Sequence, residues 1–287
     1  MKAPSRQPDS RKTCVLLHGR TEFIEKYDEV IGELTGRGYT VWTFDWRGQG
    51  LSSRETDNRH KGHSNDFQDY LDDLQAFLSD VVADEGASQR LLLAHSMGGH
   101  LALRHLLGGA TRFTHAAICA PMTAIRFGGP GRKRMVKWVA CLGRWLGKAT
   151  DYAPGSGDCT AESYEASFPK LTSSRKRYEN YLAAVRRQPD LELGGVTYGW
   201  LNAALKSSRK LMREAAGGHR HPPITLFLAG REQIVDNAAT LKLAALVDDS
   251  EVITYPDAQH EIMMESDQIW QAFWADFDQR FGGQAGA

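Results

Sequence analysis

The stretch Leu91-Leu92-Leu93-Ala94-His95-Ser96-Met97-Gly98-Gly99-His100 constrains the chain more than any other. An apolar run stops at a histidine, a serine and two glycines, and helical spacing of Leu101, Leu103, Leu106 and Leu107 begins at once. This reads as a buried strand, a tight turn and a helix, with Ser96 on the turn. Such an elbow presents the serine Oγ at the strand's carboxyl end, and small neighbours let strand and helix backbones approach closely. Ala94 stands where the elbow usually has its first glycine, a difference of one methyl group. The helix opening near Met97 aims its free N–H groups and positive dipole end back at the serine, where an oxyanion would form.

The chain has 287 residues, 41% apolar and 24% charged, which suits a globular domain large enough to carry an insertion. Lys and Arg total 35 and Asp and Glu total 35, so net charge gives no case for nucleic acid as a partner. Met1 to Arg11 is polar, and no later segment approaches a membrane-spanning length of about 18 apolar residues. The expected location is cytoplasmic. Cys14, Cys119, Cys141 and Cys159 have no metal-site spacing and read as reduced core thiols.

Strands and helices alternate along the chain. Thr13 to Leu17 is a short run without a polar face, followed by His18-Gly19-Arg20. Tyr27 to Leu34 has helical spacing, Tyr39 to Phe44 reads as a strand, and Asp45-Trp46-Arg47-Gly48-Gln49-Gly50 closes it with a tight turn in which Asp45 and Arg47 are expected local partners. A long amphipathic helix runs from Phe67 to Val82, and Ala116 to Ala120 is the strand after the elbow unit. From Pro121 to about Pro222 only helical stretches and Gly/Ser-rich connections occur. Strands resume at Pro223 to Ala229 and Val252 to Tyr255, and Phe273, Trp274, Phe277 and Phe281 mark a closing helix. This pattern predicts a mostly parallel central sheet with helices on both faces, formed by residues 1–121 and 222–287, with 122–221 as a helical cap.

In such a sheet, ligands bind beyond the carboxyl ends of the strands, where His18, Ser96 and Pro121 fall. Ser96 needs a neutral imidazole to take its proton, and the imidazole needs a carboxylate to fix its tautomer. His260, in the loop after the last strand, is well placed. Glu232, two residues past Gly230, is the favoured acid. Asp236 is the alternative, although its position also suits an N-cap. The backbone N–H groups of Arg20 and Met97 would form the oxyanion hole, and the order serine, acid, histidine is that of α/β hydrolases.

With these residues in place the chain resembles the lysophospholipase and monoacylglycerol lipase branch of the α/β hydrolases. The resemblance runs through His18 to Glu22, Phe44 to Gly50, Asp66 to Tyr70, Ala94 to Gly99, Val235-Asp236-Asn237 and His260-Glu261. Cap stretches Leu171 to Tyr178 and Gly194 to Tyr198 are similar to bacterial lysophospholipases. The resemblance implies hydrolysis of a fatty-acyl ester of a single-chain glycerolipid, without metal or organic cofactor. Two departures stand out. The family usually opens with an antiparallel hairpin, whose absence would leave a sheet edge uncovered, and Glu232 stands where relatives often carry aspartate.

Between Arg126 and Lys148 lie seven Lys/Arg and no acid, with Met135, Trp138, Val139, Leu142, Trp145 and Leu146 at three-four spacing. One expectation is that this apolar stripe packs on the cap or over the site's mouth; the other is that it rests peripherally on an anionic inner-membrane surface. Trp138, Trp145 and Tyr198 are the cap residues expected to meet substrate.

Overall fold

The computed structural model describes residues 1–84, 86–110 and 112–282. The strands are β1 (Lys2–Ala3), β2 (Lys12–Leu17), β3 (Tyr39–Thr43), β4 (Gln89–His95), β5 (His115–Cys119), β6 (Ile224–Ala229) and β7 (Ser250–Tyr255). They form one sheet in the order β1-β3-β2-β4-β5-β6-β7. Every pairing is parallel except β1 with β3, where Lys2 faces Trp42 and Ala3 faces Val41. The edge expected to lie bare is therefore covered by a two-residue antiparallel strand. A strand that short has no periodicity to read.

The strands alternate between two apolar layers, as period-two geometry requires. Val15, Leu17, Leu92, Ala94, Ile118 and Leu226 face one core. Cys14, Leu16, Leu91, Leu93, Cys119 and Phe227 face the other. The first layer is closed by α2 (Gln68–Asp80), α3 (Ser96–Leu107) and α8 (Asn237–Ala244), and the second by α1 (Asp28–Gly36) and α9 (Asp267–Phe281). Central strands covered on both faces can be apolar throughout, which is why their sequences show no alternation with polar residues. Burial pushes the thiols of Cys14 and Cys119 far up, so they are inert there. Cys141 is exposed and Cys159 half-buried, so only two of the four cysteines are core thiols.

Between β5 and β6 the chain forms α4 (Pro130–Trp145), α5 (Ala161–Leu171), α6 (Arg175–Arg187) and α7 (Tyr198–Ala215). Helix α6 carries a small core of its own, in which Tyr178, Tyr181, Leu182 and Val185 close around Phe23 from the loop after β2. The Phe23 and Tyr181 rings stack at 5.4 Å. Helix α7 lies against α3 and contributes Trp200, Ala203, Ala204 and Leu211 to the main core.

Helix α4 corrects the packing expectation. Val136 and Ala140 face the protein, whereas Met135, Trp138, Leu142, Trp145 and Leu146 all point outward, with Trp138 72% and Trp145 81% exposed. Three-four spacing shows that a helix has an apolar face, and it cannot say which face meets the protein. Here the small residues Ala140 and Gly143 seat the helix, because they let it approach α7 closely. Among the described residues no helix is long and apolar enough to cross a membrane.

Candidate active site

The turn after β4 is strained as an elbow requires: Ser96 has φ 52°, a left-handed conformation that a non-glycine residue adopts only when its surroundings enforce it. Gly98 allows it. A Cβ there would collide with the carbonyl oxygens of Leu17 and His18, so α3 starts in direct contact with the loop leaving β2. That loop is held from several sides. Trp46 Nε1 donates to the His18 carbonyl at 2.9 Å, Gln49 Oε1 accepts from Thr21 N–H at 2.6 Å, and Asp45 accepts from Ile24 N–H at 3.0 Å. The turn Asp45 to Gly50 is thus a brace for the His18–Thr21 loop. Asp45 and Arg47 are not partners; Arg47 pairs with Asp73 at 2.5 Å on the surface.

At the carboxyl ends of the strands, Ser96, His260 and Glu232 come together. Ser96 Oγ lies 2.9 Å from His260 Nε2, and His260 Nδ1 lies 2.7 Å from Glu232 Oε2. The second Glu232 oxygen accepts from the N–H groups of Ile234 at 2.7 Å and Val235 at 3.1 Å. Burial pushes the Glu232 carboxyl up, but His260 and these two N–H groups outweigh it, so Glu232 titrates below the ordinary carboxylate range. Asp236 lies elsewhere. Its carboxylate caps α8, accepting from Ala238 at 3.0 Å and Ala239 at 3.3 Å. The N–H groups of Arg20 and Met97 donate to no acceptor among the described residues.

Behind these groups lies a buried charged network that only the fold assembles. Lys26 Nζ donates to Glu22 at 2.8 Å and to Glu261 at 2.5 Å. Glu22 also accepts from Tyr27 OH at 2.8 Å and from Gly19 N–H, and stands 3.2 Å from His95 Nδ1. His95 Nε2 faces the His260 carbonyl at 3.2 Å. The network ties together the loop after β2, the elbow and the loop that carries His260. Burial opposes ionisation of Glu22, but Lys26 and His95 hold its carboxyl well below the usual range; burial also disfavours charge on His95, and Glu22 more than offsets it, raising the imidazole.

The groups open onto a cavity of about 1050 Å³ roofed by the segment between β5 and α7. Its apolar wall includes Met122, Ile125, Val136, Val196 and Leu201, and Arg20, Arg126 and Arg132 also line it. Trp138, Trp145 and Tyr198 do not, contrary to expectation. The two tryptophans lie on the outward face of α4, and the Tyr198 ring packs against the α4 backbone at Gly143. Trp200, not among the sequence expectations, lines the cavity while also packing in the main core. Among the described residues no group of three or more His, Cys, Asp or Glu is placed to hold a metal ion.

A doubly covered, mostly parallel sheet with a serine elbow at the carboxyl end of its central strand is the α/β-hydrolase fold. The chain belongs to the family described as "Serine aminopeptidase, S33", whose model matches residues 8–267. It is 31% identical over 265 residues to a probable lysophospholipase L2 of Haemophilus influenzae, covering 92% of this chain and 82% of that one. It is 22% identical over 262 residues to a monoacylglycerol lipase of Mycolicibacterium smegmatis, covering 91% and 85%. Among solved structures it is similar to a soluble variant of monoglyceride lipase from Saccharomyces cerevisiae in complex with a substrate analog, with TM-score 0.77 and 20% identity over 98% of this chain and 89% of that one.

Proposed function

We propose that the chain is a carboxylic ester hydrolase that cleaves the fatty-acyl ester of a single-chain glycerolipid, as a lysophospholipase or monoacylglycerol lipase does. The observation that carries this is the hydrogen-bonded series Ser96–His260–Glu232 at the mouth of a cavity with a long apolar wall. With its proton on Nδ1, His260 donates to Glu232 and leaves Nε2 free to accept the Ser96 hydroxyl proton. Ser96 Oγ attacks the acyl carbonyl, and the N–H groups of Arg20 and Met97 stabilise the oxyanion of the tetrahedral intermediate. His260 passes the proton to the departing glycerol oxygen, and the same steps with water release the fatty acid. Residues 1–121 and 222–287 act as the hydrolytic core, and 122–221 act as the cap that selects substrate.

Helix α4 supports peripheral membrane contact. Its outward face joins Trp138, Trp145, Met135 and Leu142 to an excess of basic residues, the composition of a helix that lies in an anionic interface. The deciding experiment compares kcat/KM for a lysophospholipid, a monoacylglycerol and an aminoacyl amide, with Ser96→Ala as the blank. Turnover of either lipid ester, absent in Ser96→Ala, supports the reading. Turnover of the amide alone would replace it with a peptidase.

A further inference from the structure

We infer that the Arg20 guanidinium reads an anionic phosphate on the alcohol side of the scissile ester, making this residue the head-group selector of the cavity. The inference rests on the proposed hydrolysis of a glycerolipid ester at Ser96.

Among the described residues, Lys26, Arg104 and Arg177, cations whose side chains are buried, have carboxylate partners. Lys26 sits between Glu22 and Glu261, Arg104 meets Glu214 at 3.1 Å, and Arg177 meets Glu29 at 2.8 Å. Arg20 has none among the described residues. Its Nη1 donates to Thr21 Oγ1 at 2.8 Å, its Nη2 donates to the Gly194 carbonyl, and its Nε is buried without a hydrogen-bond partner. Arg20 is part-buried with its Nε enclosed; a charge so placed without an anion is costly, and a ligand of the pocket supplies one. Burial lowers the guanidinium to about 10, which leaves it a cation at neutral pH.

The group is also held in place before any ligand arrives. Its Cζ lies 5.4 Å from the centre of the Trp200 ring, and it is wedged between Gly62 and Gly194, where a Cβ on Gly62 would meet Nη2 at 2.6 Å. A fixed guanidinium fork suits two oxygens of one phosphate. Its position suits the chemistry. Gly19, the preceding residue, is packed against Ser96, so Arg20 begins beside the reacting carbonyl and extends along the cavity wall, as a glycerol phosphate extends from its ester oxygen. The acids that share the cavity do not compete. Glu22 and Glu261 are held by Lys26, and Asp158 is held by Tyr152 and by Asn58 at 2.9 Å.

The test separates head-group binding from hydrolysis. In the Ser96→Ala background, sn-glycerol 3-phosphate is expected to raise Tm where glycerol does not, Arg20→Gln should abolish the shift, and Arg20→Lys should keep part of it. In the active chain, Arg20→Gln should lower the ratio of kcat/KM for a lysophospholipid to that for a monoacylglycerol of the same acyl chain by roughly 10–100-fold, the worth of a charge-assisted hydrogen bond. An unchanged ratio, a Tm shift that survives Arg20→Gln, or equal stabilisation by inorganic phosphate would overturn the assignment. Failure of the parent reading is distinct: activity would survive Ser96→Ala, while the binding measurement would still report on Arg20.

Discussion

Replacing Lys26 by methionine probes the charged network behind the site. Lys26 is buried, and its ammonium is the cation shared by Glu22 and Glu261, which are also buried. Methionine fills much of the same volume, so the change isolates the charge. Two carboxylates would then share a low-dielectric space with His95 as the remaining basic side chain beside them. Breaking a buried ion pair by removing one partner costs about 3–5 kcal/mol. For a chain of this size that corresponds to a loss of roughly 10 °C in Tm. Thermal and urea unfolding followed by circular dichroism at pH 8 would measure it. The loss should shrink as pH falls towards 5, because the stranded carboxylates can take up protons, and Glu261→Gln added to Lys26→Met should restore part of it. A loss below about 1 kcal/mol, or one independent of pH, would refute the idea that this charge organises the three loops.

Further outcomes follow from the same geometry. Glu232→Gln should keep the fold and lower kcat by about 10⁴-fold, since the imidazole would lose its tautomer control, whereas Asp236→Ala should cost about 1 kcal/mol of stability as a lost N-cap and leave kcat within a few-fold; equal kinetic effects would contradict the assignment. His95 is protonated more readily folded than unfolded, so its contribution to stability is complete below pH of about 6.5 and is lost as pH rises through the folded-state value. Urea midpoints between pH 6 and 9 should therefore fall more steeply for the unaltered chain than for His95→Gln, and parallel curves would count against the pairing with Glu22. Trp138→Ser with Trp145→Ser should weaken binding to anionic vesicles while leaving turnover of a short soluble ester intact; unchanged vesicle binding would remove α4 from the interface.

What could be read from the sequence, and what could not, divides along physical lines. The strand-turn-helix at Ser96 was legible because an apolar run, small residues and helical spacing are local signals, and the placement of His260 followed from chain order across a parallel sheet. Loop position and the N-cap site at Asp236 favour Glu232 in the sequence, but which partner each carboxylate faces depends on three-dimensional reach. The outward face of α4, the β1 edge strand and the pairing of Arg47 with Asp73 depend on which surfaces meet. Periodicity does not carry that information. The lone guanidinium of Arg20 and the role of Trp200 were hidden for the same reason, because an arginine after His-Gly and a tryptophan on a helix each have an ordinary reading until the cavity between them is seen.

The central claim is that Ser96 is the nucleophile of a lipid ester hydrolase. Fatty-acid release from a lysophospholipid and a monoacylglycerol, measured for the unaltered chain and for Ser96→Ala, tests it directly. Release from at least one of the two is expected, with a fall of roughly 10⁶-fold in kcat on loss of the hydroxyl. Release by Ser96→Ala within tenfold of the unaltered chain, a factor worth only about 1.4 kcal/mol, would contradict it.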